Sequence, residues 1–150
     1  MAKKKKKISR PSWDEYFMKI TELVASRSTC PRLYVGAVLV RDRMIISTGY
    51  NGSPRKTDQC DEVGCLIVNG HCVRAVHAEE NAVLQAAYNG ISTKGTTLYV
   101  KYFPCEHCVK ILINAGVERI VYKEIYKNLN QSFTRELLKQ AGVKLEKFKK

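Results

Sequence analysis

Residues 97–124, TLYVKYFPCEHCVKILINAGVERIVYKE, combine two kinds of periodicity in one short stretch. The run from Thr97 to Phe103 is apolar and aromatic, as is typical of a strand, and the run from Arg119 to Glu124 predicts a second strand. Between them, residues 105–115 have helical spacing and are followed by Gly116, a residue that commonly ends helices. A strand, a helix and a strand in succession indicate an α/β fold.

The flanking segments extend this pattern in both directions. Ser12 and Glu15 form a capping box for a helix that ends near Arg27, and the glycine-containing segment 49–54 is expected to break a strand. The other predicted elements are strands at 35–40 and 44–48, a helix at 77–88, a helix at 133–141 and a strand at 143–148. Their order predicts a three-layer α/β/α sandwich with a mixed five-stranded sheet. A chain of 150 residues is long enough for one such domain.

Charge and composition limit the functional class. The net charge is +12, of which Lys3 to Lys7 contribute five. We interpret residues 1–11 as a flexible solvated arm, with a polyanion-binding or nuclear-localisation patch as the alternative, and residues 12–150 as the domain. The remaining positive charge is compatible with a phosphate-bearing substrate. With no apolar run of membrane-spanning length and no secretory signal, we expect a cytoplasmic protein without a membrane partner. Its six cysteines then favour metal or thiol roles over disulfides.

Two short motifs carry candidate metal ligands. His77, Cys105 and Cys108 provide one imidazole and two thiolates, and a catalytic zinc uses three protein ligands with water in the fourth position. Zinc lowers the pKa of bound water, and a reaction that uses this water also needs a proton shuttle, which is the role that we assign to Glu79. Both motifs are predicted at strand-to-helix junctions, where the helix dipole favours thiolates. The alternative is a closed structural zinc site with a fourth protein ligand, for which His107 is the nearby candidate; we expect that side chain to face solvent.

The pattern H-x-E…P-C-x-x-C is the signature of zinc-dependent nucleobase deaminases. Together with neighbouring segments it resembles the deoxycytidylate (dCMP) deaminase family within the cytidine deaminase superfamily, over about Ser12 to Phe148. The segments that carry this resemblance are VGAVLV at 35–40, GYNGSP at 49–54, HAEENA at 77–82, PCEHC at 104–108 and LINAGVERIVY at 112–122.

This resemblance implies zinc-dependent hydrolysis of dCMP to dUMP and ammonia, which supplies dUMP for thymidylate synthesis. It implies that Asn51 contacts the sugar or its phosphate, that the Ala78 amide binds the base O2, and that Glu79 protonates N3. For Asn81 three roles stay open: it orients the metal ligand, reaches the nucleotide, or bonds local backbone.

The resemblance also implies regulation and assembly. Family members are commonly hexamers that dCTP with magnesium activates and dTTP inhibits. The implied effector site lies near the loop formed by Gly49, Tyr50, Asn51 and Gly52. A nucleic acid is not expected as a partner.

Four cysteines are left after the catalytic pair: Cys30, Cys60, Cys65 and Cys72. Three of them lie in a long aperiodic segment at about 55–74 that matches a cysteine-bearing insertion of the family. Related enzymes often hold a second, structural zinc there, and four thiolates would complete a tetrahedral site. His71 is a reserve ligand in place of Cys72 or Cys65. Ordinary buried or free thiols are the alternative.

Three other functions compete with this interpretation. The same zinc chemistry serves deaminases of dCTP and deaminases of a polynucleotide base such as a tRNA adenosine. A polynucleotide enzyme would show a basic groove with stacking aromatics, whereas the lysines here concentrate near the two ends of the chain. A catalytically silent zinc domain that binds nucleotides or nucleic acid would have no use for Glu79.

Overall fold

The computed structural model describes residues 9–150, so residues 1–8, most of the predicted lysine arm, lie outside the described residues. The helices are α1 (Trp13–Ala25), α2 (Cys60–Val63), α3 (Ala78–Tyr88), α4 (Glu106–Asn114) and α5 (Ser132–Gln140). The strands are β1 (Gly36–Arg41), β2 (Met44–Tyr50), β3 (Ile67–Val68), β4 (His71–Cys72), β5 (Thr96–Tyr102), β6 (Val117–Glu124) and β7 (Lys144–Lys147). Within residues 9–150, none of these helices has the length and hydropathy that a membrane crossing requires.

Five strands form one mixed sheet in the order β2-β1-β5-β6-β7. Strand β1 pairs antiparallel with β2 and with β5, whereas β5, β6 and β7 run parallel. The predicted α/β class with a mixed five-stranded sheet is confirmed. Since β5 and β6 are parallel and joined through α4, the carboxyl end of β5 leads directly into the N-terminus of that helix.

Helices cover both faces of the sheet, which confirms the three layers. On one face α1 buries Phe17 and Met18 against the strands. On the other face α3, α4 and α5 bury Ala82, Leu112 and Leu138 against residues of β1, β5 and β6. Alternate residues of the central strands therefore enter two different cores, as the twofold periodicity of a strand requires.

Helix α1 is also fastened by a polar network that spans the chain. Arg119 donates to both carboxylate oxygens of Asp14, at 2.9 and 2.7 Å. The Tyr99 hydroxyl donates to the same carboxylate at 2.6 Å, and the Arg119 Nε donates to Glu146 at 2.5 Å. The network joins α1 to β5, β6 and β7.

Strand β2 continues further than the sequence predicts. Gly49 and Tyr50, which we expected to break the strand, pair with Ala37 and Gly36 of β1. The glycine is explained by a close approach of α3, since a Cβ at position 49 would lie 2.3 Å from the Ala78 carbonyl oxygen. The absence of a side chain thus lets α3 lie directly on β2.

The segment predicted to be aperiodic contains short regular structure. Helix α2 is one turn long, and β3 pairs antiparallel with β4 across a turn at Asn69 and Gly70. Both of these residues have positive φ angles, 48° and 78°. This small hairpin brings Cys72 back beside Cys60.

Candidate functional site

The two predicted metal motifs lie at the N-termini of two neighbouring helices. Cys105 immediately precedes α4 and follows β5 by a short link, so this motif lies at a strand-to-helix junction as predicted. His77 immediately precedes α3, but what comes before it is an isolated bridge between Gly52 and Val76 and not a named strand. The second junction prediction is therefore wrong, because the chain enters α3 from the cysteine-bearing insertion.

The three predicted ligands converge. The His77 Nδ1 lies 3.5 Å from the Cys105 Sγ and 3.3 Å from the Cys108 Sγ, and all three ligand atoms are within 4.8 Å of one another. Zn–N and Zn–S bonds of usual length at a tetrahedral angle separate nitrogen from sulfur by about 3.6 Å. The donor set and its spacing therefore fit a zinc ion.

Protons in this cluster are shared unequally. A hydrogen bond from Cys108 is the main reason that the pKa of Cys105 falls to about 3, and the same bond raises the pKa of Cys108. Interaction with Cys105 raises the pKa of His77 to about 9. Zinc requires a neutral imidazole and two thiolates, so binding would release the protons that Cys108 and His77 hold.

Glu79 is a buried carboxyl beside this cluster. Its side chain is only 6% exposed, and burial raises its pKa to about 7. It occupies the first turn of α3, two positions after His77, and it lines the same cavity as the three ligands. A carboxyl with a pKa near neutrality can both donate and accept a proton at working pH.

The cluster opens into a cavity of about 530 Å³, a size typical of small-molecule sites. Its walls include the helix N-termini with the metal ligands, the segment that precedes β1, the residue that follows β2, the hairpin of the cysteine-bearing insertion, the end of β5 and the loop that follows β6. The lining residues are Cys30, Arg32, Leu33, Val35, Asn51, Gly70, His71, Cys72, Ala75, His77, Ala78, Glu79, Tyr102, Phe103, Cys105, Glu106, His107, Tyr126 and Leu129.

The three predicted substrate-binding residues have different surroundings. Ala78 is fully buried, lines the cavity and begins α3, where amide groups lack intrahelical partners. Asn51 also lines the cavity, but its side chain accepts from the Val35 N–H at 2.9 Å and donates to the Leu33 carbonyl at 2.8 Å. One lone pair and one amide hydrogen of Asn51 are left for a ligand.

Asn81 lies away from the cavity. It is not among the residues from 9 to 150 that line the cavity, and its side chain donates to the Tyr50 carbonyl at 2.8 Å. This bond ties α3 to the end of β2 across 31 residues of sequence, so its partner is backbone that is distant in the chain, and not the local backbone that we considered from the sequence.

Of the four predicted effector residues, Asn51 alone reaches the cavity in the described part of the chain. Gly49 is buried under α3 and Tyr50 is 39% exposed at the sheet edge. Gly52 lies on the bridge to Val76, which fixes the entry to α3. This segment therefore contacts the elements that support the site, α3 and its entry, more than the cavity itself.

Three of the four remaining cysteines form a second cluster. The Sγ atoms of Cys60, Cys65 and Cys72 lie within 4.8 Å of one another, and Cys60 and Cys72 are 3.7 Å apart. Tetrahedral zinc–thiolate bonds separate two sulfurs by about 3.8 Å, so this spacing also fits zinc. Cys30 and the reserve ligand His71 are outside the 4.8 Å group in the described residues, although both line the adjoining cavity wall.

Sequence reasoning missed two features of the site. Arg32 and Tyr126 line the cavity, but both lie in irregular segments where no periodicity predicts a position. The side chains of Glu80 and His107 meet across the two helix N-termini, 2.5 Å apart. A glutamate in the third position of a helix is a capping signal that could have been noticed; its contact with α4 could not.

Comparison with known families agrees with this geometry. The family model for the cytidine and deoxycytidylate deaminase zinc-binding region matches residues 11–124. That range contains both metal clusters, Glu79 and all but the last strand of the sheet.

Individual relatives agree as well. The chain is 46% identical over 139 residues to ComE operon protein 2 of Bacillus subtilis, covering 93% of this chain and 72% of that protein. It is 40% identical over 147 residues to the deoxycytidylate deaminase of Saccharomyces cerevisiae, covering 94% of this chain but 46% of the yeast protein, so the chain spans about half the length of that relative. The crystal structure of dCMP deaminase from cyanophage S-TIM5 in complex with dCMP and dUMP superimposes with a TM-score of 0.80 at 31% identity, over 94% of this chain and 100% of that one.

Proposed function

This chain belongs to the cytidine and deoxycytidylate deaminase family, and from that membership we propose that it catalyses the hydrolysis of dCMP to dUMP and ammonia. The reaction adds one water and releases the exocyclic amine as ammonia, and it would supply dUMP for thymidylate synthesis. The observation that carries the proposal is the convergence of His77, Cys105 and Cys108 beside the buried Glu79 in one cavity.

The three ligands would hold one catalytic zinc per chain, and when bound this ion supplies an activated water at neutral pH. Glu79 holds and moves the protons. We propose that its carboxyl takes the two protons of the attacking water in turn, giving the first to N3 of the ring and the second to the departing amine, which leaves as ammonia. Its burial favours this role, because a desolvated carboxyl with a pKa of about 7 exists in both forms at neutral pH.

The cavity supports a nucleotide as the substrate. Arg32 and His71 contribute cationic or hydrogen-bonding side chains to its walls, and such groups bind phosphate. Tyr102 and Tyr126 contribute aromatic surface, with their rings edge to face at 6.3 Å. We propose that the backbone N–H of Ala78 donates a hydrogen bond to the base O2. We also propose that the remaining lone pair and N–H of the Asn51 side chain bind the sugar or its phosphate.

The test compares ammonia release from cytidine, deoxycytidine, dCMP and dCTP at equal concentrations. We expect dCMP to react fastest. Faster ammonia release from dCTP would mean that dCTP, and not dCMP, is the substrate. Equal release from deoxycytidine and dCMP would mean that the enzyme does not recognise the phosphate. A tRNA anticodon stem is the matched polynucleotide substrate, and its preferential deamination would contradict the proposal. Release from none of these would favour the silent zinc domain.

We also propose a second, structural zinc. Cys60, Cys65 and Cys72 would provide three thiolates, and the spacing of their sulfurs supports this. Cys30, which lines the adjoining cavity wall, is the candidate fourth ligand, and His71 on the same wall is the alternative. The metal would stabilise a segment whose own regular structure is one helical turn and a hairpin with two residues in each strand.

Regulation is proposed from the family and from the position of one loop. We propose that dCTP with magnesium activates the enzyme and that dTTP inhibits it, through a site near Gly49, Tyr50, Asn51 and Gly52, in a homo-oligomer that is a hexamer. The loop is suited to such coupling because Gly52 bonds Val76 next to His77, while Asn51 reaches the cavity. The cytoplasmic location and the division into an arm at 1–11 and a domain at 12–150 stay predictions.

A further inference from the structure

Glu80 and His107 are two ionisable side chains near the catalytic cluster that have no role in the proposed chemistry. Neither belongs to the ligand group. Glu80 has a side chain that is only 16% exposed, whereas that of His107 is 64% exposed. His107 was expected to face solvent, and it does so while its Nε2 lies 2.5 Å from the Glu80 Oε1.

Both oxygens of Glu80 are engaged, and each contacts a different helix N-terminus. The Oε2 accepts from the backbone N–H of His77 at 3.2 Å, which holds the turn that presents the imidazole. The Oε1 meets His107, which lies on the first turn of α4 immediately before Cys108. A single carboxylate thus joins the histidine turn to the cysteine turn.

Helices α3 and α4 pack against each other directly and share one hydrophobic core, so Glu80 and His107 act on two turns that are already neighbours. They are 28 residues apart in sequence, and their helices rest on different strands, α3 mainly on β1 and β2 and α4 on β6. Zinc bond lengths tolerate deviations of only about 0.2 Å. A contact that joins the two turns directly is therefore well placed to set the nitrogen-to-sulfur distances.

We propose that Glu80 and His107 are positioning residues that clamp the N-terminus of α4 to that of α3 and so preorganise the catalytic zinc site. The proposal rests on the proposed function, because it concerns the zinc held by His77, Cys105 and Cys108. The two side chains meet through the His107 Nε2 and the Glu80 Oε1, and an Nε2–H can donate to a carboxylate from a neutral or a charged ring.

Zinc release to the chromogenic chelator 4-(2-pyridylazo)resorcinol tests the clamp. The catalytic zinc is identified as the release phase that Cys105→Ala lacks. We expect His107→Ala and Glu80→Ala to accelerate that phase about 10-fold, the lower end of the range for partners outside the ligand shell. His107→Gln should restore slow release, because its amide can donate to Glu80. Release at the parent rate in His107→Ala would overturn the proposal.

Two controls separate positioning from general damage. Lys110→Ala removes an exposed cation one helical turn further along α4 and should leave the release rate unchanged; acceleration equal to that of His107→Ala would overturn the clamp. The double variant Glu80→Ala/His107→Ala should release zinc no faster than Glu80→Ala alone, since the two side chains act as a unit. Multiplied effects would mean two independent roles and would also overturn it.

Cobalt(II) in place of zinc gives a readout that does not depend on turnover. We expect the visible absorption of the cobalt-loaded site to shift in His107→Ala and to return in His107→Gln, because these bands follow coordination geometry. An unshifted spectrum would count against the clamp. Failure of the proposed function is distinguishable, since it would appear in the parent protein as the absence of a zinc phase that depends on Cys105, whereas failure of the clamp leaves that phase present and insensitive to His107.

Discussion

His77 and Glu79 lie two positions apart but have different proposed tasks, so substitution separates metal binding from proton transfer. His77→Ala and Cys105→Ala should each lose one equivalent of zinc and all measurable ammonia release, because a catalytic site with two ligands holds the metal weakly. Glu79→Gln should keep its zinc while turnover falls by about 10² to 10⁴. Metal analysis beside the ammonia assay checks both expectations.

Glu118→Gln removes an exposed carboxylate on β6 and is the matched control for Glu79→Gln. Unchanged zinc in His77→Ala would refute the ligand assignment. Turnover near the parent value in Glu79→Gln would refute the proton shuttle.

The sequence predicts the positions of the proposed metal ligands well, but it predicts the roles of the two asparagine side chains poorly. The types and spacing of His77, Cys105 and Cys108 predict their convergence because zinc chemistry restricts both. Asn51 and Asn81 carry no such restriction. The side-chain amide of each donates a hydrogen bond to a backbone carbonyl, of Leu33 and of Tyr50 respectively. Partners of this kind depend on the tertiary fold.

Among the elements, the contact of β2 with α3 depends on Gly49. Gly49→Ala should lower the free energy of unfolding by about 1 to 3 kcal/mol, because its Cβ would meet backbone of α3 and a helix cannot yield as a side chain does. Thermal melting checks this, and Met44→Ala, an exposed substitution on the same strand, is the control. An unchanged melting temperature in Gly49→Ala would contradict the close approach.

The insertion with α2, β3 and β4 should depend on metal. We expect the purified protein to contain two zinc ions per chain and Cys60→Ser to contain one, with faster proteolysis within 55–74, because the loss of one of four proposed ligands leaves the tetrahedral structural site open. Cys105→Ala is the matched variant, since it should lose the other zinc and keep the insertion resistant. One zinc in the parent, with four titratable free thiols, would reject the second site.

The junction of α1 with β6 should weaken in acid. The hydrogen bond from Arg119 holds the pKa of Asp14 below its ordinary value of 3.8. A lowered folded-state pKa stabilises the protein above the unfolded value, and this contribution disappears as the pH falls through the folded one. Parent and Asp14→Asn should therefore differ by about 1 kcal/mol in unfolding free energy at pH 7, and the difference should shrink as the pH falls below about 4 and then through the lower folded pKa of Asp14.

Urea titrations across this pH range make the comparison for Asp14→Asn. Asp42→Asn changes an exposed aspartate in the turn between β1 and β2 and should show little difference at any pH. A gap between parent and Asp14→Asn that persists unchanged at low pH would contradict the linkage.

The elements show where sequence patterns stop being informative. The βαβ unit around α4 is predictable because its strands and helix are long enough to display their periods. Strands β3 and β4 have two residues each and display none. The end of β2 was misjudged because Gly49 matches a turn signal, whereas the fold uses it for helix packing; sequence alone does not distinguish these two uses.

For the whole molecule, effector binding should change the dependence of rate on dCMP. Coupling between two nucleotide sites is commonly worth about 1 to 3 kcal/mol and is reciprocal. We expect dCTP with magnesium to lower the dCMP concentration for half-maximal rate and to reduce sigmoidality, with dTTP acting in the opposite direction. Light scattering should give the mass of a hexamer. Hyperbolic kinetics that ignore both triphosphates, or a monomer, would contradict the proposed regulation.

The network that fastens α1 has a consequence for synthesis. Asp14 and Arg119 are 105 residues apart, so a ribosome that adds about 5 to 20 residues per second completes α1 some 5 to 20 s before its anchor exists. Phe17 and Met18, which the finished fold buries, pack in one cluster with residues of β1, β5 and β6, so that cluster is complete only when β6 has been made. Helix α1 can pack on β1 and β2 soon after they are made, but the ion pair that fastens it forms only after most of the described chain has been synthesised.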